Sequence, residues 1–186
     1  MKKVLAILSL AVCSLGYAQK GPLIVNNYSI YDFKGVVFAS NESGATCSPY
    51  VTTRDPDEIV IPADSHMGNG KALVYDNYRD QFTNSLYPTT TWTVSLSATS
   101  VTPRAWNHPS LLPTGVISAN TRWSGTKFRM FYAGTNDLAP GGFDGPLVLP
   151  NSCYNAPSSI STPLGNTGDI FTVTSGATTI TYIQFF

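Results

Sequence analysis

Residues 31–39 read YDFKGVVFA, and the segments on either side of them follow the same kind of pattern. From Tyr31 to Lys34, aromatic and charged side chains alternate, which is typical of a strand with one buried and one hydrated face. Short apolar runs, each closed by Asn, Ser, Gly or Pro, lie around it at residues 23–27, 49–53 and 59–62. The sequence from Leu23 to Pro62 therefore predicts the first strands of an antiparallel sheet.

Further strands are predicted along the rest of the chain. Residues 90–99 give the clearest pattern, because apolar side chains fall on one face and threonines and serines on the other. The other predicted strands are 71–75, 116–118, 127–133, 147–149, and a final hairpin of 170–174 and 178–186. Prolines make 100–115 irregular, and 134–145 and 151–168 are predicted as loops. About nine or ten short strands with long loops, and no helix, predict an all-β fold, a two-sheet antiparallel β-sandwich of immunoglobulin-like or jelly-roll-like type.

The first 18 residues have the form of a secretory signal. Lys2 and Lys3 precede an apolar run that is shorter than the roughly 20 residues of a membrane helix, and Gly16–Ala18 is a small-x-small cleavage site. A lipoprotein signal at Cys13 is the alternative, but the bulky Val12 disfavours it. The sequence predicts a signal peptide at 1–18 and a single domain at 19–186, either secreted or at the cell surface, with a periplasmic location as a further alternative.

The charge of the chain is low and balanced. Without Lys2 and Lys3, nine basic residues stand against eleven acidic ones. No basic face for nucleic acid is expected from this composition. Only 12% of the residues are charged, while Thr, Ser, Asn, Gly and Pro are abundant, which favours exposed sheets and long loops outside the cell. We expect an extracellular glycan or protein as the partner and no membrane association.

Two cysteines, Cys47 and Cys153, remain once Cys13 leaves with the signal peptide. An even number of cysteines in an exported domain predicts a disulfide between them. A zinc site is the alternative, but two isolated cysteines without a neighbouring histidine make a poor ligand set. Carboxylates in the loops 55–58 and 136–144 lack the spacing of a calcium loop. We expect no metal and no cofactor, with a loop calcium ion as the alternative.

Candidate catalytic residues are few. His66 and His108 are the two histidines. Asp64, Ser65 and His66 are the residue types of a hydrolase triad, but adjacent residues point apart and triad members normally come from distant segments. The Gly-x-Ser-x-Gly nucleophile turn is missing from the sequence. We therefore expect no catalytic residue and no enzymatic activity, with an extracellular hydrolase as the alternative.

Aromatic residues in predicted loops are the candidates for ligand binding. Trp106 and Trp123, with Tyr87 and Tyr154, are predicted to form a platform for a sugar ring or a peptide. The alternative is that these rings cap the core. Trp92 is assigned to the core because it lies on the apolar face of its strand.

Residues 22–65 also resemble uncharacterised small secreted β-sandwich proteins of Gram-negative bacteria. The resemblance lies in Val25–Asn27, the aromatic strand that follows, Cys47, and the Ile-x-Ile-Pro run that ends at Pro62. It implies export and the sandwich fold, and it carries no site residue.

Together these features predict a non-enzymatic binding or structural module that recognises a glycan, protein or matrix component through its loops. A secreted toxin or membrane-active sandwich and a small outer-membrane β-barrel are the further alternatives. The barrel is suggested by the alternating aromatic residues at the end of the chain, but few runs are long enough for its strands.

Overall fold

The fold is a sandwich of two β-sheets, seen in a computed structural model that describes residues 21–43, 46–79, 85–150 and 153–186. The predicted signal segment 1–18 lies outside these residues. In the described part of the chain there are twelve strands. They are β1 Leu23–Asn27, β2 Tyr31–Ser40, β3 Tyr50–Asp55, β4 Ile59–Ile61, β5 Leu73–Tyr75, β6 Thr91–Ser97, β7 Ser100–Ala105, β8 Arg122–Tyr132, β9 Asp144–Val148, β10 Ser159–Ser161, β11 Thr167–Ser175 and β12 Thr178–Phe185. The predicted all-β sandwich is confirmed.

The two sheets have five and seven strands. The smaller has the order β10-β11-β12-β1-β5, and the larger has the order β7-β6-β3-β2-β8-β9, with β4 also pairing with β2. Within the described residues, three short helices connect strands: α1 Val116–Asn120 and the 3-10 helices Met67–Asn69 and Pro109–Leu111. No helix in the described ranges is long and apolar enough to cross a membrane.

Strand β1 corrects the prediction of one initial antiparallel sheet. β1 lies in the smaller sheet, parallel to β12, whereas β2 lies in the larger one. The chain changes sheets at Tyr28–Ile30, where the Asn27 amide donates to the Tyr31 carbonyl at 2.7 Å and the Ser29 hydroxyl donates to Asn27 Oδ1 at 2.7 Å. These buried hydrogen bonds satisfy the polar groups of the crossing. The alternation of side chains along a strand does not indicate such a change of sheet.

Two strands, β7 and β9, include prolines at positions where the sequence predicted no strand. Pro103 lies within β7, in the segment expected to be irregular, and Pro146 lies within β9. Both strands are at edges of the larger sheet, where a residue without an N–H group is tolerated. Strand β10 also differs from the prediction, because it lies within residues 151–168, which were predicted as a loop.

Residues 116–118 form the start of α1 instead of the predicted strand. The Ser118 hydroxyl donates to the Leu111 carbonyl at 2.8 Å and the Thr121 hydroxyl to the Ile117 carbonyl at 2.9 Å. These side-chain bonds to the backbone stabilise a turn that the apolar run alone did not indicate.

The core lies between the sheets and contains a group of large aromatic rings. We call Tyr75, Tyr78, Trp92 and Trp123 the inner aromatic cluster. Neighbouring ring centroids in this cluster are 5.0 to 6.1 Å apart. Each ring is almost completely buried. As predicted, Trp92 belongs to the core.

Candidate ligand-binding cleft

A second aromatic group lies on the outer face of the larger sheet, at the end of β2. Val37 and Ala39 of this strand face the core, so Phe38 between them points outward. It is nevertheless only 3% exposed. Tyr50 and Tyr154 cover it, with ring centroids 5.4 and 5.5 Å away. We call Phe38, Tyr50 and Tyr154 the outer aromatic cluster.

A disulfide fastens the segment that carries Tyr154. Cys47, before β3, is bonded to Cys153, after β9, with a Cα–Cα distance of 5.8 Å, so the predicted pairing is confirmed. The Val148 N–H group donates to the Pro157 carbonyl at 2.9 Å. Pro157 therefore lies next to the end of β9. The covering segment is therefore held both at its base and by the disulfide.

Between this segment and the sheet lies a cleft of about 340 Å³. Its described lining is mostly aromatic and aliphatic, with one charged side chain. The lining residues are Phe38, Tyr50, Lys127, Pro146, Val148, Cys153, Tyr154, Asn155 and Ala156. The volume is at the lower end of the roughly 300–1,000 Å³ range of small-molecule pockets. A mostly apolar concave surface with a few polar groups is the usual form of a ligand site.

The two tyrosine hydroxyls in the cleft remain protonated at neutral pH. Burial raises the pKa of Tyr50, and the nearby Tyr154 adds to the rise. Burial also raises the pKa of Tyr154. Both hydroxyls therefore act as neutral hydrogen-bonding groups.

The structure does not bring the four predicted aromatic residues together. Tyr154 lines the cleft, but Trp106 and Tyr87 do not. Trp106 is half-buried after β7, where its backbone N–H group donates to the Thr90 carbonyl at 3.0 Å. Tyr87 packs against the core, and its hydroxyl donates to the Lys71 carbonyl at 2.9 Å.

Trp123 must be corrected, because it is 1% exposed and belongs to the core. The register between β2 and β8 shifts so that Phe38 pairs with Gly125 and Ala39 with Trp123. This bulge adds a residue to β8, so the alternation of inward-facing and outward-facing side chains is reversed beyond it. Trp123 consequently faces inward on the same side as Phe128, and almost all of its surface is buried.

The sequence patterns do not identify Phe38 and Tyr50 as site residues. Phe38 is a large apolar residue between Val37 and Ala39, out of phase with the buried face of its strand. An apolar ring at an outward-facing position of the strand indicates an apolar patch on the outer face of the sheet. The sequence indicates Tyr50 less clearly. It lies three residues after Cys47, and the predicted bond to Cys153 would bring Tyr154 near it.

His66 is engaged at both ring nitrogens. Its Nε2 lies 3.2 Å from Asp64 Oδ1, and its Nδ1 accepts a hydrogen bond from the Gly68 N–H group at 3.1 Å. Ser65 between them is 1% exposed, and its backbone pairs with Asn27. The histidine is thus occupied by local contacts and is not aligned with the Ser65 hydroxyl.

His108 caps the 3-10 helix Pro109–Leu111. Its Nδ1 accepts from the Ser110 N–H group at 3.2 Å and lies 2.9 Å from Ser110 Oγ, which also accepts from Arg104 at 2.5 Å. These contacts are those of a helix cap. Over the described ranges, no group of three or more His, Cys, Asp or Glu side chains is placed to hold a metal ion.

Comparison with known proteins finds no matching family profile, no matching curated protein and no matching solved structure.

Proposed function

We propose that the protein is an extracellular, non-enzymatic binding module whose cleft takes a short glycan. The observation that carries the proposal is the outer aromatic cluster, which lies on the solvent side of the sheet under a segment fastened by a disulfide. These rings lie on the face of the larger sheet that is turned away from the core, so packing of the core does not require them. Rings held there on a rigid support are suited to ligand contact.

The size and chemistry of the cleft favour a glycan over a protein partner. A specific protein interface involves about 20–30 residues on each side. The cleft has nine described lining residues. Tyrosine combines an aromatic face with a hydroxyl, which suits a sugar ring with C–H groups on its face and hydroxyls at its edge.

The described lining also supports a role without catalysis. It contains neither a carboxylate nor an imidazole, the usual groups for general acid–base work and for glycoside hydrolysis. The two histidines lie outside it, in the local contacts described above.

Export is part of the proposal and rests on two observations. A stable disulfide is characteristic of an oxidising compartment, and Cys47 and Cys153 form one. The charged and apolar residues at 2–15, followed by Gly16–Ala18, have the form of a secretory signal.

A glycan array with the purified protein tests this function, using Tyr154→Ala as the site variant. Removing the ring should weaken binding to any retained glycan by about 2 kcal/mol. Tyr28→Ala is the matched control, because Tyr28 is a 40% exposed tyrosine stacked on His66 and Phe186 at the far end of β2. Its loss should leave binding unchanged.

Three results would contradict the proposal. One is that no glycan is retained. Another is that Tyr154→Ala binds as the parent does while Tyr28→Ala does not. The third is a hydrolytic activity towards the retained glycan that His66→Ala or His108→Ala abolishes.

A further inference from the structure

We propose that the cleft selects an acidic saccharide, whose negatively charged substituent pairs with the ammonium group of Lys127. This inference rests on the proposed function and names the class of glycan. The substituent is a carboxylate or a sulfate, since both present the oxygen acceptors that an ammonium group requires.

Lys127 is exposed at the edge of the cleft, and it also lines a neighbouring depression with Lys34, Glu58 and Arg129. It is the one charged side chain among the described lining residues. On the outer face of the sheet, Val36 of β2 and Pro146 of β9 lie beside it in register. These apolar neighbours do not enclose the exposed Lys127 side chain, so an ion pair formed here is of moderate strength and is screened by salt.

The nearest cations on the same face have partners within the protein. Arg129 donates to Glu58 at 2.6 Å, and Lys34 donates to Asn136 Oδ1 at 2.7 Å. The side chain of Lys127, in contrast, forms no hydrogen bond or ion pair with another residue of the described ranges. Its charge is therefore available to a ligand.

The remaining lining groups do not oppose an anion. Burial raises the pKa of Tyr50 and of Tyr154, so neither ring carries a negative charge at neutral pH. Asn155 adds a neutral amide to the wall. A sugar ring that lies against the tyrosines can thus direct an acidic substituent towards Lys127 without meeting a like charge on the described wall.

Matched ligands and variants test the inference by calorimetric titration. The ligands are a uronic-acid trisaccharide, its carboxyl-reduced neutral counterpart, and a sulfated form of that neutral sugar. The variants are Lys127→Met, which keeps an unbranched stem, and Lys127→Arg, which keeps the charge. Lys71→Met is the control, because Lys71 is exposed and lies outside the cleft lining.

The acidic sugar should bind about three- to fivefold more tightly than its neutral counterpart, the size expected for an ion pair with an exposed side chain. Lys127→Met should remove this preference, whereas Lys127→Arg and Lys71→Met should keep it. A preference for the uronate over the sulfated sugar, or the reverse, identifies which anion the cleft takes. Raising the salt from about 50 to about 500 mM should narrow the preference for either anion.

Equal affinity for the acidic and neutral sugars overturns the inference, as does a preference that survives in Lys127→Met. The proposed function stands in that case if Tyr154→Ala still weakens binding of the neutral sugar. If none of the sugars binds, both the acidic selectivity and the glycan-binding function are wrong.

Discussion

The inner and outer aromatic clusters contain similar residues but differ in what surrounds them. The inner cluster lies between the two sheets, and each ring has neighbours on all sides. The outer cluster lies outside the larger sheet, where Tyr50 of β3 and Tyr154 of the covering segment remain half-buried. The inner rings are buried by both sheets, whereas Tyr50 and Tyr154 of the outer cluster keep part of their surface exposed although Phe38 beneath them is buried.

The two clusters are also held in different ways. The inner rings are packed by the sheets, and the Tyr78 hydroxyl is paired with Thr121 Oγ1 at 2.9 Å. The outer cluster depends on the disulfide between Cys47 and Cys153, which brings Tyr154 onto the sheet. Substitutions in the inner cluster should therefore change stability, and those in the outer cluster should mainly change binding.

The largest expected effect is on stability, from Trp123→Ala in the inner cluster. Removing this buried ring leaves a cavity and should lower the free energy of unfolding by about 3–5 kcal/mol. Urea unfolding followed by circular dichroism measures the loss. Tyr154→Ala is the comparison from the outer cluster and should cost much less. Equal losses in the two variants would remove the distinction between the clusters.

Removal of the disulfide should have the next largest effect. Its cysteines are 106 residues apart, and a bond that closes so long a loop should stabilise the fold by about 2–4 kcal/mol. The double variant Cys47→Ala, Cys153→Ala should lose this stability and also bind the glycan more weakly, because the segment with Tyr154 is no longer fastened. Reducing agent should reproduce both changes in the parent and leave the double variant unaffected. Unchanged binding by a folded double variant would show that the outer cluster does not need the bond.

The smallest expected effect is a change in the alkaline stability of the inner cluster. Burial raises the pKa of Tyr78 above its ordinary value of 10.0, and its hydrogen bond to Thr121 offsets part of the rise. Above pH 10 the unfolded chain releases this proton while the folded chain keeps it, so stability is complete below pH 10 and falls as the pH rises. Tyr78→Phe should reduce that slope by at most about 1.4 kcal/mol per pH unit.

Urea unfolding at several alkaline pH values checks this slope. Phe33→Leu is the control, since it changes a core ring that has no ionisable group and should lower stability by the same amount at every pH. An unchanged slope in Tyr78→Phe would mean that Tyr78 ionises equally in both states and is not enclosed by the inner cluster.

Much of the fold could be predicted from local patterns. The alternation in β6 and the hairpin of β11 and β12 appear directly in the sequence, because each strand has one buried face. The disulfide followed from counting the cysteines. The placement of β1 beside β12 could not be predicted, since it depends on a contact between segments more than 150 residues apart.

The cleft could be predicted only in part. Tyr154 and Cys153 were recognised as candidates, but the bulge that turns Trp123 inward has no clear signature in the sequence. Phe38 was assigned to a strand without regard to its phase. Lys127 was not singled out, because a lysine in a strand gains a specific role only when the neighbouring strand and the covering segment are known.

The most direct test of the glycan-binding cleft is a two-dimensional NMR titration of the purified, isotope-labelled protein with a saccharide retained on the array. If the glycan binds in the cleft, the largest shift changes belong to Tyr50, Lys127 and Tyr154, with little change at Tyr28 and His66. Binding that instead perturbs Tyr28 and His66, and leaves the resonances of the outer aromatic cluster in place, would contradict this binding site.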